Sequence, residues 1–180
     1  MDNQGKEGGF MPLFIILLIS LAIASLWDTL PFIKDNVHKV LDPSAGALLN
    51  WNMTYGFLIL IFILTFITTI AQKYLTDQKT MREMKAEQKK LSDEMKKFRH
   101  DPEKMMNLQK ESTKFMIPMM KLGMRPMVFT GIPFILFFRW FMDIFTILGN
   151  PKFWIFSWFW FYLIMSIIIS SILRKVLKVV

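Results

Sequence analysis

WNMTYGFLILIFILTFITTIAQ, Trp51 to Gln72, carries no charged side chain. At about 1.5 Å per residue a helix of that length matches the roughly 30 Å hydrocarbon core of a bilayer. A second uncharged run, Phe153 to Leu173, is one residue shorter and of the same character. The chain therefore reads as an integral membrane protein.

Working outward, the charges are segregated from the apolar runs. Residues 73–125 hold fourteen Lys/Arg against eight Asp/Glu, and the tail RKVLKVV adds Arg174, Lys175 and Lys178. A formal charge of +8 raises the possibility of nucleic acid. The excess lies beside the apolar runs, however, where basic residues hold topology, so no DNA partner is expected. There is no cysteine, which excludes disulfides, thiolate metal sites and cysteine nucleophiles.

The fold class expected is an all-α integral membrane protein with three core transmembrane helices, an N-terminal apolar helix, and a cytosolic antiparallel coiled-coil hairpin between the core helices. The expected divisions are an apolar helix within 1–30, an extracytoplasmic polar loop over 31–50, and a span at 51–72. A hairpin at 73–123 and spans at 124–148 and 152–173 follow, joined by a Gly-Asn-Pro-Lys turn, and a basic tail occupies 174–180. The positive-inside rule puts the hairpin and the C-terminus in the cytoplasm of a multi-pass protein of the cell membrane.

The first segment, Phe10 to Trp27, admits three readings. It is long enough to span or to serve as a signal anchor, and AIA at Ala22–Ala24 is like the small-x-small end of a cleaved signal peptide. Against cleavage, Lys6 and the terminal amine face Asp2 and Glu7 in the stretch before it. The third reading lays the segment along the outer surface.

In the middle segment Met81, Met84, Gln88, Leu91, Met95 and Phe98 step by three and four, drawing one seam on a helix. Asp101 and Pro102 fit an N-cap and first helical position, and a second seam follows at Met105, Leu108, Ser112, Phe115 and Met119. Two such helices pair antiparallel. Ten of fifteen methionines lie between Met81 and Met127. Flexible, polarisable thioethers suit varied apolar partners, so Met105, Met106, Met116, Met119, Met120 and Met124 are candidates for substrate capture, although core filling is the commoner use of any one of them.

Read by depth, three spans turn polar on their cytoplasmic side. Thr65, Thr68, Thr69 and Gln72 share one helix face, Ser166 and Ser170 lie one turn apart, and Thr130 belongs to the third span. Hydroxyls also serve ordinary packing between membrane helices. Their shared depth points to a groove open to the cytosol. Arg139 lies roughly 20 Å past Pro126, in the middle or outer half of the bilayer. A charge there is a functional hypothesis by default. Asp143, one turn on, is its expected partner. Arg139 is either the positive terminus of the groove or one half of an ion pair at the outer interface.

No GxxxxGK[ST], HExxH or GxSxG motif is present, and His38 and His100 fall in loops on opposite sides of the expected membrane. No metal site, cofactor or enzymatic activity is expected.

KFMIPMMKLGMRPMVFTGIPFILFFRWF, Lys114 to Phe141, preceded by a span and a Met- and Lys-rich hairpin and followed by a closely spaced helix pair, resembles the archaeal YidC-like proteins. These belong to the superfamily of YidC, Oxa and Alb insertases, with the third subunit of the endoplasmic reticulum membrane complex as a eukaryotic relative. The resemblance covers about Trp51 to Lys178. It implies a three-helix core with a hydrophilic groove that inserts nascent transmembrane segments without nucleotide hydrolysis. Nascent membrane proteins and lipid are the partners implied, with the basic hairpin a candidate contact for the ribosome. Bacterial relatives carry a key positive residue in the first core helix. Trp51 to Gln72 has none, so the role is offered to Arg139. The alternative function is a membrane-anchored coiled-coil scaffold that recruits a cytosolic partner.

Overall fold

The computed structural model describes residues 11–179. Phe10 and the residues before it, where the expected first segment starts, lie outside the described residues. Among the described residues every regular element is helical except for one small β-hairpin. Helix α1 spans Met11–Ser25, α2 Pro31–Leu41, α3 Ala47–Trp51, α4 Met53–Leu75, α5 Gln78–Lys97, α6 Pro102–Ile147 and α7 Trp158–Leu177; strands β1 (Lys152–Phe153) and β2 (Phe156–Ser157) pair antiparallel. Helices α4, α6 and α7 are long and apolar enough to cross a membrane, and α1 is shorter.

Local chemistry sets the helix ends. The Asn52 side chain accepts from the Tyr55 N–H and starts α4. Asp77 accepts from the Lys79 and Thr80 N–H groups and starts α5, while Asp101 accepts from the Lys104 N–H with Pro102 at the first helical position of α6. Each carboxylate or amide satisfies donors that the first turn leaves without a partner.

Helices α5 and α6 form an antiparallel hairpin. Met81 and Leu91 are buried in it, the Met81 methyl lies against Gly123, and at the tip Lys104 Nζ sits 4.9 Å above the Phe98 ring. The helix does not break near residue 123, where hairpin and span are expected to meet. Instead α6 runs 46 residues, about 69 Å, from the hairpin tip through the span. Three prolines lie inside it, Pro118, Pro126 and Pro133. Pro126 leaves the Leu122 carbonyl without its helical donor. The Thr76 hydroxyl, in the turn after α4, reaches that carbonyl at 3.5 Å.

Two further expectations change. The polar segment 31–50 is not a loop but α2, a π-helical turn at Asp42–Gly46, and α3. Its apolar residues Val37, Leu41 and Leu48 pack against the core, which the net polarity of the segment concealed. The last helix begins at Trp158, not 152. Asn150, before the β-hairpin, and Trp154, in its turn, adopt positive φ, and the hairpin turns Phe153 into the interior.

The core lies at the end of the bundle away from the hairpin, the far end. Phe57 of α4 is fully buried at its centre, with ring centroids of Phe141, Phe145, Phe153 and Phe161 at 4.9–6.0 Å. Such aromatic pairs gain about 0.5–1.5 kcal/mol each beyond the area they bury. Immediately before Phe57, Gly56 admits α3 so closely that a Cβ there would stand 2.1 Å from the Leu48 carbonyl oxygen. On the other side α1 runs parallel to α6. Ile16 meets Gly131, where a Cβ would be 3.0 Å from its methyl, and Trp27 reaches Asp143. Small residues at such crossings let membrane helices approach.

Candidate functional site

Helix α7 packs along α4 rather than along α6. The rings that join α6 to α7 lie at the far end, with Phe134 and Tyr162 the pair nearest the hairpin. Beyond that pair a groove of about 470 Å³ opens between the three helices. Thr65 and Thr68 of α4 form its back, Phe134 one wall, and Tyr162, Ser166, Ser170 and Arg174 of α7 the other. Polarity therefore rises from an aromatic closure at Tyr162 to a guanidinium at the hairpin side.

The hydroxyls are oriented by their own helices. Thr68 donates to the Thr65 carbonyl at 3.0 Å and Ser166 to the Leu163 carbonyl at 2.9 Å. With each proton spent on the backbone, the oxygen's lone pairs are left to face the groove. The lining thus offers acceptors at Thr68 and Ser166, and Arg174 supplies donors and positive charge at one end.

Of the residues expected to share a groove, the structure gathers Thr65, Thr68, Ser166 and Ser170. Thr69 does not join them: it is fully buried and donates to the Thr65 carbonyl at 2.7 Å, packed inside the bundle. Gln72 lies one turn nearer the hairpin, where its carbonyl accepts from Thr76 and Gln78, and it is not part of the lining. Thr130, on α6, bonds to the Pro126 carbonyl at 3.0 Å and also stands outside the lining. Arg174, which sequence reasoning assigned to the tail, completes the site. The signal was present, since Ser166, Ser170 and Arg174 recur every four residues and fall on one face.

Arg139 is elsewhere. It lies at the far end, its guanidinium 3.5 Å from Asp28 and its central carbon 5.8 Å from the Trp27 ring centre. The expected pairing with Asp143 is not made. The Asp143 carboxylate accepts from Trp27 Nε1 at 2.7 Å and contacts His38 Nε2 at 3.2 Å and Lys34 Nζ at 3.4 Å. The reason lies in segment 27–42, whose side chains reach Asp143 first. In the same cluster Trp140 donates to Asp42 at 2.7 Å, and His38 bridges Asp42 and Asp143. The hydrogen bond to Asp28, reinforced by Asp143, holds the Lys34 ammonium above its usual range against the opposing effect of burial. Arg139 and its neighbours thus strap α2 and the end of α1 to α6.

The capture candidates divide by exposure. Met105, Met106, Met116 and Met120 are exposed on α6, with Ile117 and Met127 beside them, whereas Met119 and Met124 are half-buried. Met116, Met120 and Met127 fall within about 40° on the helix. Phe134, the groove wall, lies on the same face. An apolar track therefore leads along α6 from the hairpin to the groove. Among the described residues no three His, Asp or Glu side chains are grouped as a metal site.

Compared with known proteins, residues 40–155 match a family model described as integral membrane protein EMC3/TMCO1-like. No curated protein and no solved structure matches the chain.

Proposed function

This chain belongs to the EMC3/TMCO1-like family of integral membrane proteins, an insertase-related family, and we propose that it is itself an insertase that guides nascent transmembrane segments through the groove between α4, α6 and α7. The hairpin and the C-terminus face the cytoplasm in this reading, as the basic residues of 73–125 and the tail favour. Exposed methionines of α6 receive an apolar segment, and the track through Met127 to Phe134 delivers it to the groove.

The observation that carries the proposal is a hydroxyl-lined, Arg174-headed cavity inside helices otherwise apolar enough for lipid. Polar backbone or side chains dragged through hydrocarbon lose hydrogen bonds at several kcal/mol each. In the groove those donors meet Thr65, Thr68, Ser166 and Ser170, and a carboxylate or carbonyl meets Arg174. Only the far half of the bilayer is left to cross. The segment's own apolar residues drive release into lipid through the side of the groove, so no nucleotide hydrolysis is required.

Photocrosslinking tests this reading. A crosslinker at Thr68 or Ser166 should trap a stalled nascent membrane protein, while one at the exposed, lipid-facing Ile59 should not. Equal trapping at all three positions, or labelling of lipid alone, would overturn it.

A further inference from the structure

A second cavity, of about 660 Å³, opens where α4 ends, α5 begins and α7 ends. Four cations converge on it from these three elements, Lys73, Lys79, Arg82 and Lys178, against one carboxylate, Glu83. Among the described residues none of the four forms an ion pair. Arg82 Nη2 donates to the Lys178 carbonyl at 2.6 Å, which fixes the corner between α5 and α7 while leaving the guanidinium charge uncompensated.

The location is as informative as the charge. Lys73 stands in the last turn of α4 and Lys178 just past the last residue of α7, so the cavity lies at the ends of two helices long and apolar enough to cross a membrane. Tyr74 is exposed at the same level, as aromatic residues are at a membrane interface. Leu177 lines the cavity, and Ile172 and Val176 are exposed on α7 nearby, an apolar surface suited to acyl chains.

We propose that this cavity binds the phosphate headgroup of an anionic phospholipid from the leaflet on the hairpin side. Basic pockets between spans attract such headgroups, each cation contributing about a fivefold preference. An RNA backbone would instead favour the lysines farther out along the hairpin, away from the span ends.

The test uses the full chain in mixed micelles of phosphatidylglycerol and phosphatidylcholine, with retained lipid counted by native mass spectrometry. The wild type should retain phosphatidylglycerol in preference. Lys73→Gln with Lys79→Gln, which leaves the Arg82 contact intact, should lower that retention by roughly 25-fold. Lys89→Gln with Lys97→Gln, an equal charge change on the exposed arm, should leave it unchanged. Equal loss in both double variants, or phosphatidylcholine held as well as phosphatidylglycerol, would overturn the proposal. So would displacement by inorganic phosphate, which would mark a free-phosphate site, or by an RNA oligonucleotide, which would assign the cations to RNA.

Discussion

The indole of Trp27 donates to the carboxylate of Asp143 at 2.7 Å, joining residues 116 positions apart. Trp27 is fully buried, and its bond ends the parallel run of α1 along α6 at the layer where Lys34 and His38 also meet Asp143. Trp27→Phe keeps an aromatic ring but leaves this contact of a half-buried carboxylate unmade. We expect a loss of about 1–3 kcal/mol, read as a lower midpoint of thermal unfolding in detergent. Crosslinking at Thr68 should survive in the folded fraction, because the groove does not include this cluster.

Gly56 and Gly131 both mark close helix approaches, with different tolerance. A Cβ at Gly56 meets the rigid Leu48 carbonyl at 2.1 Å, while one at Gly131 meets the end of the Ile16 side chain at 3.0 Å. Backbone cannot yield as a methyl can. Gly56→Ala should therefore abolish the monodisperse size-exclusion peak, a loss of roughly 4 kcal/mol or more. Gly131→Ala should keep the peak and lower its thermal stability only slightly.

The hairpin should be acid-sensitive through its caps. The Thr80 hydroxyl, and then the Thr80 N–H, hold the Asp77 carboxyl below its ordinary range; the Lys104 N–H does the same for Asp101. A carboxyl whose folded pKa is depressed contributes stability above its unfolded value, about 3.9, and that stability is lost as pH falls through the folded value. Helicity measured by circular dichroism should fall as pH drops below about 4. Asp77→Asn with Asp101→Asn, caps without a titrating group, should flatten that fall.

Arg174 heads the groove at the hairpin side. Arg174→Gln should slow insertion of clients whose translocated flank is acidic by roughly fivefold, the effect of about 1 kcal/mol for a partly exposed charge. Clients with a neutral flank should be much less affected. A reconstituted insertion assay with paired clients reads the difference directly.

Much of this architecture is legible in the sequence because the bilayer simplifies the code. Uncharged runs of span length have one reading, and Asp101-Pro102 marks the hairpin turn without ambiguity. What stays hidden depends on contacts between distant segments. Arg139 and Asp143 stand one turn apart, and nothing local reveals that Trp27, Asp28 and Lys34 reach them first. Thr65, Thr68 and Thr69 share a face in a helical projection, yet only the packing of the bundle shows that Thr69 is fully buried. Segment 31–50 conceals its helices because its apolar residues are spaced to meet the core, with polar side chains and Pro43 between them. Arg174 was readable by its spacing from Ser170 and Ser166, but its place beside a basic tail drew it into the topology argument.

Cysteine accessibility tests the groove most directly, since the chain has no native cysteine. Single cysteines at Thr65, Thr68, Ser166 and Ser170 are placed in the full chain in sealed vesicles of known orientation and challenged with a membrane-impermeant maleimide. The account predicts labelling at these four positions from the hairpin side, with protection at Thr69 and at Phe57. Protection at all four, or labelling from the far side, would contradict it.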